Sequence, residues 1–168
     1  YKILPRSQDD LSGWNRTCMG ERCIWEATEG ELVVSEFMAN PNNDGDCLDS
    51  EGEYVEVTYV SDSGQKLDLR GLQLSDESKT EFVTPHVVLD PGTSAWISVG
   101  DASCYGNANV LLGSTSFSLN NGGDTLSLFH DDIDGQRLEF DEMTYTGDWV
   151  ETGVSIQLSA DKLTSAEN

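Results

Sequence analysis

The stretch LDLRGLQLS (67–75) decides how the chain folds. Leu67 and Leu69 alternate with polar residues, as do Leu72 and Leu74, and a period of two sends alternate side chains to one face of an extended strand. Gly71 interrupts the alternation, which predicts a bulge or kink between two strand segments. The same signature recurs on both sides. ELVVSEF (31–37) and EYVEVTYV (53–60) are rich in β-branched and aromatic residues, and the run between them, ANPNNDGDCLDSEG, reads as a loop. EFVTP (81–85) ends at Pro85, and VVLDPGTSAWISVG (87–100) turns at Asp90-Pro91-Gly92 and resumes as a strand. SFSL (116–119) and DTLSLFH (124–130) flank a turn at 120–123, and Asp134-Gly135 turns the chain into QRLEFDEMTY (136–145). VSIQLS (154–159) is the last strand-like run. No stretch has the period of an amphipathic helix. Eight or so short strands at this spacing predict an all-β fold of antiparallel sheets packed face to face.

Residues 1–29 differ, with no sustained period and with Trp14, Trp25, Cys18 and Cys23 set in polar sequence. They read as an N-terminal arm on a β-sandwich spanning 30–163, followed by a short tail, 164–168. Asn15-Arg16-Thr17 fits a glycosylation sequon, a pattern short enough to arise by chance. At 168 residues the chain fits one domain. Beginning at Tyr1 and lacking a run of about 20 apolar residues, it reads as a mature or excised piece that does not insert into a membrane.

Nine basic residues stand against 31 acidic ones, a formal charge of −22. This excludes nucleic acid and other polyanions as partners, because their binding needs clustered Lys and Arg to release counterions. Four cysteines, Cys18, Cys23, Cys47 and Cys104, form no C-x-x-C pair and no zinc spacing. Disulfides in an oxidising compartment account for them better than metal binding. Three connectivities are open; the favoured one closes a tight loop with Cys18–Cys23 and joins distant loops with Cys47–Cys104. In the chain-entropy model the longer crosslink contributes roughly 4 kcal/mol.

No catalytic residue is expected. His86 and His130 each lie beside a turn signal, away from any nucleophile motif, and with so many acids a carboxylate pair carries little information. The loop from Asn40 to Glu51 is more pointed. It places Asn40, Asn42, Asp44, Asp46, Asp49 and Glu51 around Gly45 at the sixth position, matching the EF-hand ligand loop apart from Asn at the first. These six are candidate calcium ligands, against the alternative of a solvated acidic loop; no other cofactor is implied. Trp14, Trp25 and Trp149, in the arm or near a loop tip, are candidate partner contacts, since an exposed aromatic makes a binding hot spot.

Taken in order, LVVSEFMANP, EYVEVTYV, LDLRGLQLSDES, FVTPHVVLDPGTSAWISV, SFSLNNGGDTLSLFHDDIDGQRLEFDEMTY and GVSIQLS resemble the lamin-tail domain from Glu31 to about Leu163. That family is the immunoglobulin-like module of nuclear lamins, found also in bacterial and archaeal secreted proteins. The resemblance implies an immunoglobulin-like antiparallel β-sandwich that is not itself catalytic and that works in protein or surface association. The Cys-bearing arm and loops depart from the family, and no coiled coil adjoins. The expectation is an extracellular or cell-surface interaction module of a bacterial secreted or surface protein, whose partner is a protein, including its own copies joined through the arm into surface fibres. The rivals are a calcium-stabilised adhesin that binds a ligand or surface polymer, and an accessory domain of a secreted hydrolase.

Overall fold

Alternation along three strands builds the first layer. In β3 (Leu32–Met38), β4 (Tyr54–Tyr59) and β9 (Ser94–Ser98) one set of side chains, Leu32, Val34, Phe37, Val55, Val57, Tyr59, Ala95 and Ile97, enters a single core. The computed structural model describes residues 16–19, 22–25, 29–42, 51–83, 86–100, 104, 110–111, 117–131 and 136–159. Its other strands are β1 (Arg16–Met19), β2 (Arg22–Trp25), β5 (Leu67–Asp68), β6 (Gln73–Ser75), β7 (Thr80–Phe82), β8 (Val88–Leu89), β10 (Val110–Leu111), β11 (Gly123–Asp131), β12 (Arg137–Thr146) and β13 (Ile156–Gln157). A five-stranded sheet runs β10-β9-β4-β3-β13 and a four-stranded sheet β12-β11-β6-β7, with β5-β8 and β1-β2 as separate antiparallel pairs. There is no α-helix among the described residues.

The second sheet faces the first with Leu74, Leu126, Leu128, Phe140 and Tyr145. Burying a large apolar side chain contributes roughly 1.5–3 kcal/mol, so this shared interior dominates the energetics. Tyr145 ties the two layers. Its ring packs on Phe37 at 4.6 Å and its hydroxyl donates to the Asn120 carbonyl at 2.9 Å. Burial, with the charges of Asp124, Glu53 and Asp76, raises the pKa of that hydroxyl, so it stays a donor.

Gly71 does break the leucine alternation. Its φ is +92°, and the chain there leaves the β5-β8 pair to enter the second sheet as β6, with Leu67, Leu69, Leu72 and Leu74 all in the core. β11 and β12 pair antiparallel as expected, with Asp131 opposite Arg137 at their ends, while the turn residues Asp134 and Gly135 lie outside the described residues. Elsewhere the structure departs from the sequence reading. Residues 117–119 form no strand; Phe117 and Leu119 are core anchors on an irregular segment. Its main chain is held by carboxylates instead of a ladder: Leu119 N–H donates to Glu53 Oε2 at 2.7 Å and Ser118 N–H to Asp76 Oδ2 at 3.5 Å. β10 lies parallel to β9, where only antiparallel pairing was expected. The arm contains the β1-β2 hairpin, too short to show a sustained period. Within the 154–159 run only Ile156 and Gln157 form a strand, with Leu158 adding one further main-chain hydrogen bond to β3.

The free edge of β3 is closed piecewise. Gly30 N–H donates to the Phe140 carbonyl at 2.8 Å, and Val34 N–H to Asp141 Oδ2 at 2.8 Å. Ser35 carbonyl accepts from Leu158 N–H, and β13 then pairs with Glu36 and Phe37. Asp141 stands in for a missing strand partner. Burial raises its pKa, and the charges of Glu139 and Glu142 add to that, while the Val34 and Glu142 N–H groups act the other way.

A carboxyl whose pKa is higher folded than unfolded binds more protons in the native state between those two values. Its contribution to stability therefore falls as pH rises from about 4 through the folded pKa. Asp141→Asn keeps an acceptor and discards the charge, so it should be at least as stable as the parent at pH 7 and flatten that acidic slope. Asp141→Ala leaves Val34 N–H without its acceptor and should cost roughly 1–3 kcal/mol. Urea midpoints from pH 3 to 7 check both; an Asn variant weaker than the parent at pH 7 overturns the assignment.

Candidate functional site

Three places on the sandwich gather polar or exposed groups. The first surrounds the histidines. Asp68, 1% exposed, accepts from Arg70 N–H at 3.1 Å, from the Arg70 guanidinium at 2.9 Å and lies 3.0 Å from His86 Nδ1. These contacts clamp the turn through Arg70 and Gly71 onto the segment before β8. The imidazole of His130 packs over Gly71, where a Cβ would sit 3.2 Å from Nε2. Both histidines thus brace the kink that separates β5 from β6.

The second is an open acidic cleft of about 570 Å³ lined by Asp76, Glu77, Ser118, Asn120 and Asp124. Burial raises the pKa of Asp124 first, and the charges of Asp76 and Glu77 add to it, against the N–H groups of Thr125 and Asn120. The cleft gathers acidic groups, but the carboxylates of Asp76 and Asp124 are already engaged by main-chain N–H groups. Asp76 Oδ1 accepts from Ser78 N–H at 2.9 Å, Lys79 N–H at 2.6 Å and the Ser78 hydroxyl at 2.9 Å. Such an arrangement is an Asx turn that fixes the 76–79 bend. Among the described residues no group of three His, Cys, Asp or Glu side chains is placed to hold a metal.

Of the candidate calcium ligands, Asn40, Asn42 and Glu51 are described, while Asp44, Asp46 and Asp49 lie outside the described residues. Asn40 Nδ2 donates to Thr152 Oγ1 at 3.1 Å and its carbonyl accepts from Gly153 N–H at 2.7 Å. Asn42 lies close against Gly153, where an added Cβ would sit 3.2 Å from the Asn42 Cβ. The first and third positions of the loop therefore tie it to the turn before β13.

The third place is the β13 edge. β12 ends in a 3-10 turn, Gly147–Trp149, that holds Trp149 53% exposed over a groove of about 90 Å³. Val34, Phe37, Met143, Ile156 and Leu158 line it. Glu36 and Gln157 form its polar rim, with Gln157 Nε2 donating to Glu36 Oε2 at 2.7 Å and the Tyr54 hydroxyl donating to Glu36 Oε1. Val154, half exposed, follows in the connection to β13. Of the three tryptophans singled out in sequence, Trp149 is thus an exposed side chain beside an edge strand. Trp25 lies in β2, and Trp14 lies outside the described residues.

In β1-β2 the register sets Cys18 directly opposite Cys23. Met19 and Arg22 close a two-residue turn, so Cys18 and Cys23 fall at a pair whose Cα separation suits a crosslink. Cys47 lies outside the described residues. The acceptor roles of Glu53, Asp76 and Asp141 were missed in sequence. Only Asp76, ahead of Glu77-Ser78, carried a local turn signal.

Two β-sheets packed through one interior, antiparallel save for β10, make this an immunoglobulin-like β-sandwich. Residues 26–147 match the Lamin Tail Domain family model, and the chain belongs to that family. No curated protein matches the chain. The family is a non-enzymatic one of protein-interaction modules.

Proposed function

We propose that this chain is a non-catalytic interaction module acting outside the cell, as part of a secreted or surface-displayed protein, and that it holds a protein partner at the β13 edge. The observation that carries the reading is the exposed Trp149 above an apolar groove beside a strand paired at only two residues. An edge strand offers main-chain groups, an adjoining apolar slot selects a side chain, and a rigid aromatic supplies contact area. The net charge of −22 favours a partner segment with basic residues around that side chain.

A random-peptide display library panned on the full chain tests this. Enriched peptides should carry an aliphatic or aromatic residue flanked by Lys or Arg, and should lose binding to Trp149→Ala, which leaves the melting temperature within a few degrees of the parent. Enrichment indifferent to Trp149, or none, overturns the reading.

The extracellular part of the proposal rests on Cys18 lying opposite Cys23 in the β1-β2 register. Intact mass should rise on reduction by the hydrogens of two disulfides, mapped to Cys18–Cys23 and Cys47–Cys104. An unchanged mass places the protein in a reducing compartment instead.

No cofactor is needed for this binding. Millimolar calcium should leave the melting temperature unchanged; a rise growing with the logarithm of calcium concentration would move the function to a calcium-stabilised ligand binder.

A further inference from the structure

The outer face of the five-stranded sheet, turned away from the core, should meet water, yet much of it is buried; Glu36, Glu56 and Trp96 are half-buried and Ser94 at its margin is exposed. Its side chains are those between the core positions of β3, β4 and β9. Val33 is 0% exposed, Tyr54 4% and Met38 6%, with Ser35, Thr58 and Ser98 also buried, although Val33, Met38 and Tyr54 are not part of the core cluster. The face is organised as well as buried. Tyr54 stacks on Trp96 at 4.5 Å with the rings 6° from parallel, and Trp96 Nε1 donates to Glu56 Oε2 at 2.7 Å. Glu56 Oε1 accepts from Ser35 Oγ at 2.6 Å, and Thr58 Oγ1 bridges Ser35 and Ser94 at 2.7 Å each. Tyr54 and Trp96 are both engaged beyond this network.

The second sheet cannot be the cover, because it packs on the opposite face together with the β5-β8 leucines. Of the described elements this leaves the β1-β2 hairpin, which needs a support of its own. Two strands of four residues are not stable alone in water. The hairpin's sequence includes the apolar residues Met19, Ile24 and Trp25. Residues 26–31 link it to β3 and span at most about 24 Å, so it stays within reach of Val33. Charge permits the same placement. In a chain of net charge −22 the first 28 positions are neutral, with Lys2, Arg6, Arg16 and Arg22 against Asp9, Asp10, Glu21 and Glu26, so they add no net repulsion to a sheet face that presents Glu36 and Glu56.

The geometry points to the N-terminal hairpin lying across the outer face of the five-stranded sheet of its own chain, as a third layer over Val33, Met38 and the Tyr54–Trp96 stack. The arm is then a built part of the module and not a strand kept free for a neighbour.

Methyl nuclear Overhauser spectroscopy on the full chain tests the placement. The Val33 and Met38 methyls should show contacts to residues 16–25, and these should persist unchanged when labelled protein is diluted into an excess of unlabelled chain. Contacts to segments other than the hairpin overturn the proposal. So do contacts seen only between labelled and unlabelled copies, which would mean exchange between chains. A chemical readout is independent of assignment. Ile24→Asp and Trp25→Asp sit at alternating positions of β2, so one of them should raise the rate of Met38 oxidation by peroxide severalfold while near-ultraviolet dichroism of the core is retained. If neither variant moves that rate, the hairpin does not cover the sheet.

Discussion

Main-chain N–H groups that no neighbouring strand can reach are, in this protein, taken by carboxylates. Asp141 serves Val34 on the β3 edge, Glu53 serves Leu119, Asp76 serves Ser78, Lys79 and Ser118, Asp68 serves Arg70, and Asp124 serves Asn120 and Thr125. A buried N–H left unpaired is expensive, and a hydrogen bond to a charged acceptor contributes about 1.5–3 kcal/mol. Each of these acids sits where the chain bends, crosses between layers, or ends its ladder. The sheets can therefore be short and their connections irregular while the interior stays satisfied. The excess of acid in the composition is in this part architecture, not only surface charge.

That use explains what could be read from the sequence and what could not. Periodicity is a property of neighbours along the chain, so the strands around Leu67–Leu74, the break at Gly71 and the hairpin between β11 and β12 were legible from residue order. A carboxylate that reaches an N–H more than a hundred residues away, as Asp141 reaches Val34, leaves no local trace. The segment with Phe117 and Leu119 alternated like a strand because its side chains do enter the core, yet its backbone partners are side chains and it forms no ladder. The parallel placement of β10 depends on how the intervening chain returns, which alternation does not encode. For the candidate site, Trp149 was legible as a tryptophan after Gly147-Asp148, whereas the groove beneath it is assembled from β3, β12 and β13.

The family defines the scaffold, and the scaffold hosts its binding through local features. Here the outer face and the edge groove meet at β3. Glu36 connects them, since it bonds Tyr54 on the outer face and Gln157 on the rim of the Trp149 groove. Whatever settles on the outer face is thus one side chain removed from the edge groove, and ordering either place restricts the other.

The ladder between β3 and β4 skips a residue between Val34 and Glu36, so two residues of β3 share the space opposite Glu56. This lets Val34 and Phe37, three positions apart, point the same way. Removing Ser35 would restore a regular ladder without turning any later side chain over, whereas adding or removing one residue elsewhere in the strand would exchange its core-facing and outer sides. Length variation among relatives is thus expected to concentrate at this one position of the strand.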